Sequence, residues 1–306
     1  MTRPGPVLTE RDRMILRSLA EYRLLTTEQV QRLHFPSTQT TLRRLRRLEV
    51  ARLVQRHRTD ALNTHAVTLA SKGTEQLRDA SPHALEAVSS ERRPVRLPGE
   101  FFLRHMVAVN DFRIALELAV QERPDVELLG VLTDTARTAV GPAMQPRAVL
   151  SESVSFGVGD LDRLTHVPDL AFALRRGDRQ ALFLVELDRG TEVVGDPKRG
   201  VGLFLRFYLR ALVTSGFQGL GSRLGGSAGF HGFRVLVVTT TAARVEAIRA
   251  RWGTMPVEPE QAKQFIWLSN SDALRSRALL EHGWAALDPR VAQSYVIAPP
   301  QGDGQP

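Results

Sequence analysis

Apolar positions in the first fifty residues recur at helical spacing in three separate runs. Thr9 followed by Asp12 predicts the start of a first helix. Thr26 followed by Gln29 is a capping-box pattern that predicts the start of a second helix. The third run covers residues 37–50. The sequence therefore predicts three short helices in close succession.

Two strand-like runs and one further short helix follow these three helices. The runs cover residues 53–58 and 64–69, and the helix covers residues 71–77. This order of elements is typical of a winged helix-turn-helix domain, in which the third helix enters the major groove of DNA and the ribbon forms the wing. We therefore predict a DNA-binding domain over residues 1–80. The alternative is an ordinary helical bundle with a solvated arginine face.

The third helix has one apolar and one basic side. Leu42, Leu45 and Leu48 fall within one arc, whereas Arg43 and Arg47 point away from it. The predicted contacts with duplex DNA lie on this helix and on the ribbon: Thr38, Gln39, Thr40, Arg43, Arg44, Arg46, Arg47, Arg56 and Arg58.

The positive charge of the chain is confined to its first third. Residues 1–100 contain 18 basic and 11 acidic side chains and carry +7, whereas residues 101–306 contain 23 and 22 and carry +1. This asymmetry indicates a polyanion-binding module joined to a neutral one. Cysteine is absent, which excludes disulfides and thiolate metal sites. No apolar run approaches eighteen residues, so we expect a cytoplasmic protein without membrane contact.

The rest of the chain predicts an α/β domain. Residues 81–97 are rich in serine, proline and charge and are expected to form a linker. Residues 98–296 alternate helix-like and strand-like runs in the order α-β-β-β-α-β-α-β-α, which predicts a mixed sheet flanked by helices. Residues 297–306 are expected to be a disordered tail.

Three acidic residues lie at the ends of two successive predicted strands. Asp169 begins one strand, and Glu186 and Asp188 end the next, two residues apart and hence on one face. An antiparallel hairpin would bring the three carboxylates together, and such a cluster requires a cation. The cation is either Mg²⁺, which prefers oxygen ligands, or a basic side chain such as Lys198 or Arg199.

This pattern resembles the PD-(D/E)XK nuclease superfamily, whose fold is restriction-endonuclease-like. The resemblance implies that Asp169 and Glu186 hold Mg²⁺ and that Asp169, Glu186, Asp188 and Lys198 form the catalytic set. The motif departs at residue 188, where the superfamily carries lysine and this chain carries aspartate. Lys198 or Arg199, on the following helix, would have to replace that lysine.

Several blocks in order resemble the replication-relaxation family of bacterial plasmid and mobile-element proteins. They are LTERDRMILRSLAEYRLLTTEQVQRLHFP, LRHMVAVNDFRIAL, PDLAFAL and VELDRGTE, followed by Lys198 and Tyr208. The resemblance implies a winged-helix protein that binds double-stranded DNA, with a nuclease-like second domain. It also implies replication or mobilisation proteins as partners.

Three functions remain open at this point. The first is a DNA-binding accessory or regulatory protein of plasmid or mobile-element replication or mobilisation, with an inactive nuclease-like domain. The second is a metal-dependent DNA nuclease or nickase, and the third is a partner-binding scaffold. Asp188 and the nearly neutral second domain favour the first over the second. The charge of residues 1–100 argues against the third. The sequence leaves the oligomeric state open.

Overall fold

The computed structural model divides the chain by its internal contacts into two compact units, residues 1–114 and 115–306. The last helix in the predicted order of the α/β domain covers residues 272–282. Most of this helix, most of the predicted linker and nearly all of the predicted tail lie outside the described residues. The structure describes residues 8–60, 62–80, 97, 99–140, 145–156, 163–214, 216–220, 222–224, 230, 232–255, 260–272, 279–291 and 294–298.

The first unit consists of short helices around a small antiparallel sheet. The sheet has the order β1-β3-β2, so the last strand lies between the other two. The elements follow one another as α1 (Glu10–Tyr22), β1 (Leu25–Thr26), α2 (Thr27–His34), α3 (Thr38–Val50), β2 (Val54–Arg58), β3 (His65–Leu69) and α4 (Ser71–Ala80).

Side-chain caps begin the first three helices, and the sequence predicts the first two of these caps. The Thr9 hydroxyl accepts from the Asp12 backbone N–H, and the Asp12 carboxylate accepts from the Thr9 backbone N–H. Thr26 and Gln29 form the same reciprocal pair at α2, and Ser37 caps α3. Each cap satisfies backbone donors that have no partner within the helix. These caps fix where the chain turns between helices.

Apolar side chains at helical spacing hold α1, α2 and α3 together. Their burial removes them from water, and this is the main term that favours the packed unit. The fully or almost fully buried side chains of these helices include Ile15, Leu16, Leu19, Val30, Leu45 and Leu48.

The long helix α5 (Glu100–Gln121) crosses the division between the units. Its N-terminal part packs on the first unit through polar contacts with buried backbone. The Asn110 amide donates to the Leu24 carbonyl at 2.6 Å, and the Gln29 amide donates to the Val107 carbonyl at 2.9 Å. Residues 100–114 thus belong to the first unit by their contacts.

The second unit is an open seven-stranded mixed sheet with the order β14-β13-β12-β11-β10-β9-β4. Strands β10, β11 and β12 run parallel, and the remaining pairs are antiparallel. The strands of this sheet are β4 (Glu127–Thr133), β9 (Leu170–Arg176), β10 (Arg179–Leu187), β11 (Phe233–Thr239), β12 (Ile266–Asn270), β13 (Trp284–Ala286) and β14 (Ser294–Tyr295).

Two α-helices, two small hairpins and four short 3₁₀- or π-helical turns complete the described part of this unit. The hairpins, together with β13 and β14, escaped sequence prediction, because strands of two to four residues give almost no periodic signal. The elements are α6 (Gly200–Val213), α7 (Ala242–Ile248), and the hairpin strands β5 (Arg137–Val140), β6 (Gln145–Ala148), β7 (Glu152–Ser155) and β8 (Arg163–His166).

A two-residue turn joins β9 to β10. Gly177 occupies it with φ of 55°, a backbone conformation that glycine adopts without steric cost. The turn fixes the register, so that Leu170 pairs with Val185 and the residues just beyond, Asp169 and Glu186, meet at the end of the hairpin.

The main core lies between this sheet and α6. Alternate residues of β10, Leu182 and Leu184, share one cluster with Leu205 and Tyr208 of α6 and with Ile248 of α7. Glu186 and Asp188 continue the same alternation, so both project toward the side of the sheet that α6 and α7 cover. Among the described helices, none is long and apolar enough to cross a membrane.

Candidate functional site

Three arginines of α3 form an exposed basic face: Arg43, Arg46 and Arg47. None of the three has a carboxylate partner within the part of the chain that the structure describes. The opposite side of α3 is buried through Leu45 and Leu48. The basic face is therefore an uncompensated positive surface on a well-packed helix, which is the electrostatic requirement for a polyanion site.

Arg44 has an intramolecular partner. Its guanidinium donates to both oxygens of the Asp12 carboxylate in α1 and, at 3.0 Å, to the Thr9 hydroxyl. Burial alone would raise the pKa of Asp12, but the hydrogen bonds from Arg44 and Thr9 outweigh it and hold the pKa below its ordinary value. Arg44 joins α1 to α3, although the sequence indicated it as a DNA contact.

The remaining predicted DNA contacts divide in the same way. Arg56 on β2 donates to Glu49 at 2.8 Å, whereas Arg58 at the end of β2 is exposed and forms no ion pair among the described residues. At the start of α3, Gln39 is exposed and the Thr38 hydroxyl donates to Gln31 at 2.6 Å. The Thr40 hydroxyl contacts that of Ser37 at 2.9 Å.

The second unit brings two of the predicted acids together. Asp169 lies just before β9 and Glu186 near the end of β10, in the paired register of the hairpin. The Leu187 backbone N–H donates to Asp169 Oδ2 at 2.7 Å. Burial, and then the neighbouring Glu186 carboxylate, raise the pKa of Asp169 well above its ordinary value. This environment favours the neutral form of Asp169.

Glu186 accepts two hydrogen bonds from groups that cover it. The Tyr208 hydroxyl of α6 donates to Glu186 Oε1 at 2.5 Å, and His166 Nε2 of β8 lies 2.7 Å from the same oxygen. Burial would lower the pKa of His166, but the Glu186 charge outweighs it and raises the pKa. The pKa of Tyr208 is raised well above its ordinary value by burial and by the same charge, so Tyr208 remains a donor.

Asp188 has an arginine partner from a distant part of the chain. Its side chain is fully buried, and both of its oxygens accept from the Arg244 guanidinium of α7, the Nη2–Oδ1 distance being 2.9 Å. The Gly190 backbone N–H also donates to Oδ1, at 3.0 Å. The negative charge of Asp188 is thus matched within the protein.

Lys198 and Arg199, the cations that the sequence indicated, lie on the exposed turn before α6. The Arg199 guanidinium donates to Asp196 at 3.0 Å and is 81 % exposed. The Lys198 backbone N–H donates to the same carboxylate at 2.8 Å, and its side chain is exposed. In the structure, Arg244 therefore provides the positive charge beside Asp188.

A family model described as replication-relaxation matches residues 16–202, which is more than half of the chain. The chain belongs to the replication-relaxation family. Membership associates it with the replication or relaxation of plasmid and mobile-element DNA. The match includes the basic face of α3 and all three acids but ends before Tyr208 and Arg244. No curated protein and no solved structure matches the chain.

The carboxylates of this replication-relaxation protein do not fit a Mg²⁺ site. A divalent ion needs several free oxygen ligands. Both oxygens of Asp188 accept from Arg244, Glu186 Oε1 is bound by Tyr208 and His166, and Asp169 Oδ2 accepts from the Leu187 backbone N–H. Among the described residues, no group of three or more histidine, aspartate or glutamate side chains could hold a metal ion.

Three residues of this arrangement escaped sequence reasoning: His166, Arg244 and, in its polar role, Tyr208. The sequence indicated that Tyr208 packs with Phe204 and Phe207, and their rings do contact one another. Helical spacing identifies such a packing face, but not the acceptor of a buried hydroxyl. His166 and Arg244 lie 20 and 56 residues from their acids, and no local pattern links them.

Replacing Asp169 with asparagine is expected to raise the melting temperature at neutral pH. The amide oxygen of asparagine can still accept from the Leu187 N–H. The substitution also removes a carboxyl group whose ionisation is costly in the folded state. The pKa of Asp169 is higher in the folded state than its ordinary value of 3.8. The wild type therefore loses stability as pH rises from about 3.8 through the pKa of Asp169 in the folded state. The gain of Asp169→Asn should therefore shrink as pH falls toward 4.

Thermal denaturation at a series of pH values measures this effect. Asp178→Asn is the control, because Asp178 lies in the exposed β9–β10 turn of the same hairpin. A melting temperature of Asp169→Asn below that of the wild type at neutral pH would contradict the expectation.

Proposed function

We propose that this protein is a DNA-binding accessory or regulatory protein of plasmid or mobile-element replication. In this proposal residues 8–80 act as a winged helix-turn-helix domain on duplex DNA, and the second unit is an inactive nuclease-like domain. The observation that carries the proposal is the basic face of α3, with three exposed arginines that no carboxylate pairs among the described residues.

The order of elements supports the DNA-binding part. Three helices and a two-stranded ribbon, closed by β1, follow the order of winged helix-turn-helix domains. In that geometry α3 enters the major groove with Arg43 and Arg47 toward the bases. Arg58, near the open end of the β2–β3 ribbon, lies where a wing contacts the backbone. Arg46 is positioned to neutralise phosphate.

The test is binding of the full chain to short duplexes of unrelated sequence over a range of salt concentrations. The proposal predicts binding at low salt that weakens steeply as salt rises, because each neutralised phosphate releases counterions. Absence of duplex binding at low salt by the folded chain would overturn the proposal.

Replacing Arg43 with alanine is expected to weaken duplex binding by about 1–3 kcal/mol if the side chain reads a guanine. If it contacts only phosphate, binding weakens by a similar factor on every sequence and the salt slope falls by about one. Arg13→Ala is the matched control, since Arg13 is exposed on α1 and is paired with Glu10 at 3.1 Å. Equal losses for the two variants would show that α3 is not the recognition helix.

The proposal that the second unit is inactive rests on the groups that contact its acidic side chains. A PD-(D/E)XK nuclease needs two acids free for Mg²⁺ and a lysine beside them. Here Asp188 stands at the lysine position and is held by Arg244, and Lys198 is exposed on a turn. The site therefore lacks the lysine beside its acids that hydrolysis of a phosphodiester would need.

Incubation of the full chain with supercoiled plasmid and Mg²⁺ or Mn²⁺ tests this second part. We expect the plasmid to remain supercoiled. Nicked or linear product that disappears with EDTA and in Asp169→Asn would establish the nuclease alternative. A melting temperature that rises with millimolar Mg²⁺ in the wild type but not in Asp169→Asn would count against the proposal as well.

A further inference from the structure

A surface pocket of about 360 Å³ lies beside the basic face of α3. It is bounded by the start of α1, the residue after α2 and one side of α3. Its lining is dominated by arginine, with one aromatic ring. The lining residues are Thr9, Arg11, Phe35, Thr40, Arg43, Arg44 and Arg47.

The pocket is positive because only one of its arginines is matched. Asp12 neutralises Arg44, whereas Arg11, Arg43 and Arg47 have no carboxylate partner within the described part of the chain. The nearest acid on the surface of α1, Glu10, is paired with Arg13 and Arg17. Three positive charges therefore converge on one cavity from two helices, and an anion there would be held from both sides.

Arg11 is held in place by an aromatic side chain. Its guanidinium lies over the Phe35 ring at 5.4 Å from the ring centroid. The field of this arginine reaches the neighbouring His34, whose pKa is lowered to about 4 by burial and then by the charge of Arg11. A guanidinium positioned before binding loses less conformational entropy when it meets an anion.

We propose that this pocket binds a phosphate of the DNA backbone, with Arg11 as the phosphate contact and the half-buried Phe35 ring as the group that positions Arg11. The inference rests on the proposed function, since it assumes that α3 faces DNA. It adds a contact from α1 that the sequence did not indicate. This contact positions the duplex but does not read its sequence.

The test uses full-length Arg11→Gln. Arg13→Gln is the control, because Arg13 is exposed on another face of α1 and is paired with Glu10. Affinity is measured for several unrelated short duplexes over a range of salt concentrations. We expect Arg11→Gln to bind every duplex on the order of tenfold more weakly at low salt, with a salt slope lower by about one. Arg13→Gln should retain the wild-type slope.

The outcomes separate this inference from the proposed function. If the wild type binds no duplex, the proposed function fails. If the wild type binds and Arg11→Gln keeps the wild-type affinity and slope, the pocket inference alone is wrong. A loss confined to one duplex sequence would also overturn it, because a phosphate contact acts on all sequences.

A second experiment uses inorganic phosphate in the absence of DNA. A rise in melting temperature with millimolar phosphate that requires Arg11, combined with unchanged duplex binding by Arg11→Gln, would assign the pocket to a free phosphate and overturn the DNA assignment. Phe35→Leu keeps an apolar side chain and removes the ring that holds Arg11. We expect it to weaken duplex binding in the same direction as Arg11→Gln.

Discussion

Replacing Arg44 with methionine is expected to lower the free energy of unfolding by about 3 kcal/mol. The Asp12 carboxylate, 1 % exposed, then loses both guanidinium bonds and remains buried as an uncompensated charge. The loss falls at the lower end of the range for a broken buried ion pair, because Thr9 still donates to Asp12 through its backbone N–H and its hydroxyl, each at 2.8 Å. Chemical denaturation of the full chain measures the change.

Arg43→Met is the matched control, because Arg43 neighbours Arg44 on the same helix but is exposed and unpaired among the described residues. It should change stability by about 0.5 kcal/mol or less and should weaken duplex binding. Folded Arg44→Met, assayed at low temperature, should bind DNA far better than Arg43→Met. Full stability of Arg44→Met together with lost DNA binding would instead make Arg44 a DNA contact, as the sequence first indicated.

Replacing Arg244 with methionine is expected to cost the second unit about 3–5 kcal/mol of stability. Asp188, whose side chain is fully buried, would keep only the hydrogen bond from the Gly190 backbone N–H among those that the described residues make to it. Stability should therefore be partly recovered by adding Asp188→Asn, which removes the unmatched charge.

Arg199→Met is the control for this experiment, since the sequence placed the cation there. Its ion pair with Asp196 is largely exposed to solvent, so its loss should change stability little. An effect of Arg199→Met equal to that of Arg244→Met would show that the Asp188–Arg244 pair does not carry the stability expected of it.

Local signals predicted much of the first unit. The capping pairs Thr9–Asp12 and Thr26–Gln29 are complete within four residues, and the structure forms both. The phase of α3 follows from its leucines in the same way. Arg44 shows the limit of such reasoning. Helical phase gives the direction of a side chain, but Asp12 lies 32 residues away and only the packing of α1 on α3 brings it there.

Part of the acidic cluster was also predictable from local sequence. Asp169 and Glu186 belong to one hairpin, so the two-residue turn at Gly177 fixes their approach. The partner of Asp188 comes from α7, beyond a parallel strand crossover, and the sequence offered the nearer Lys198 and Arg199 instead. Short strands such as β13 and β14 were missed, because sheet neighbours rather than a periodic pattern define them.

The hairpin of β9 and β10 also determines the order in which this unit assembles. A hairpin with a two-residue turn closes within microseconds, because its contacts are local in the chain. The parallel pairing of Glu186 with Val237 of β11 closes a loop of about fifty residues, which is entropically costly and slow. Asp169 and Glu186 therefore meet early in folding, whereas Arg244 reaches Asp188 only after β11 and α7 have docked. During that interval mutual repulsion of Asp169 and Glu186 opposes the hairpin, so we expect refolding to be faster in Asp169→Asn, which removes one of the two charges.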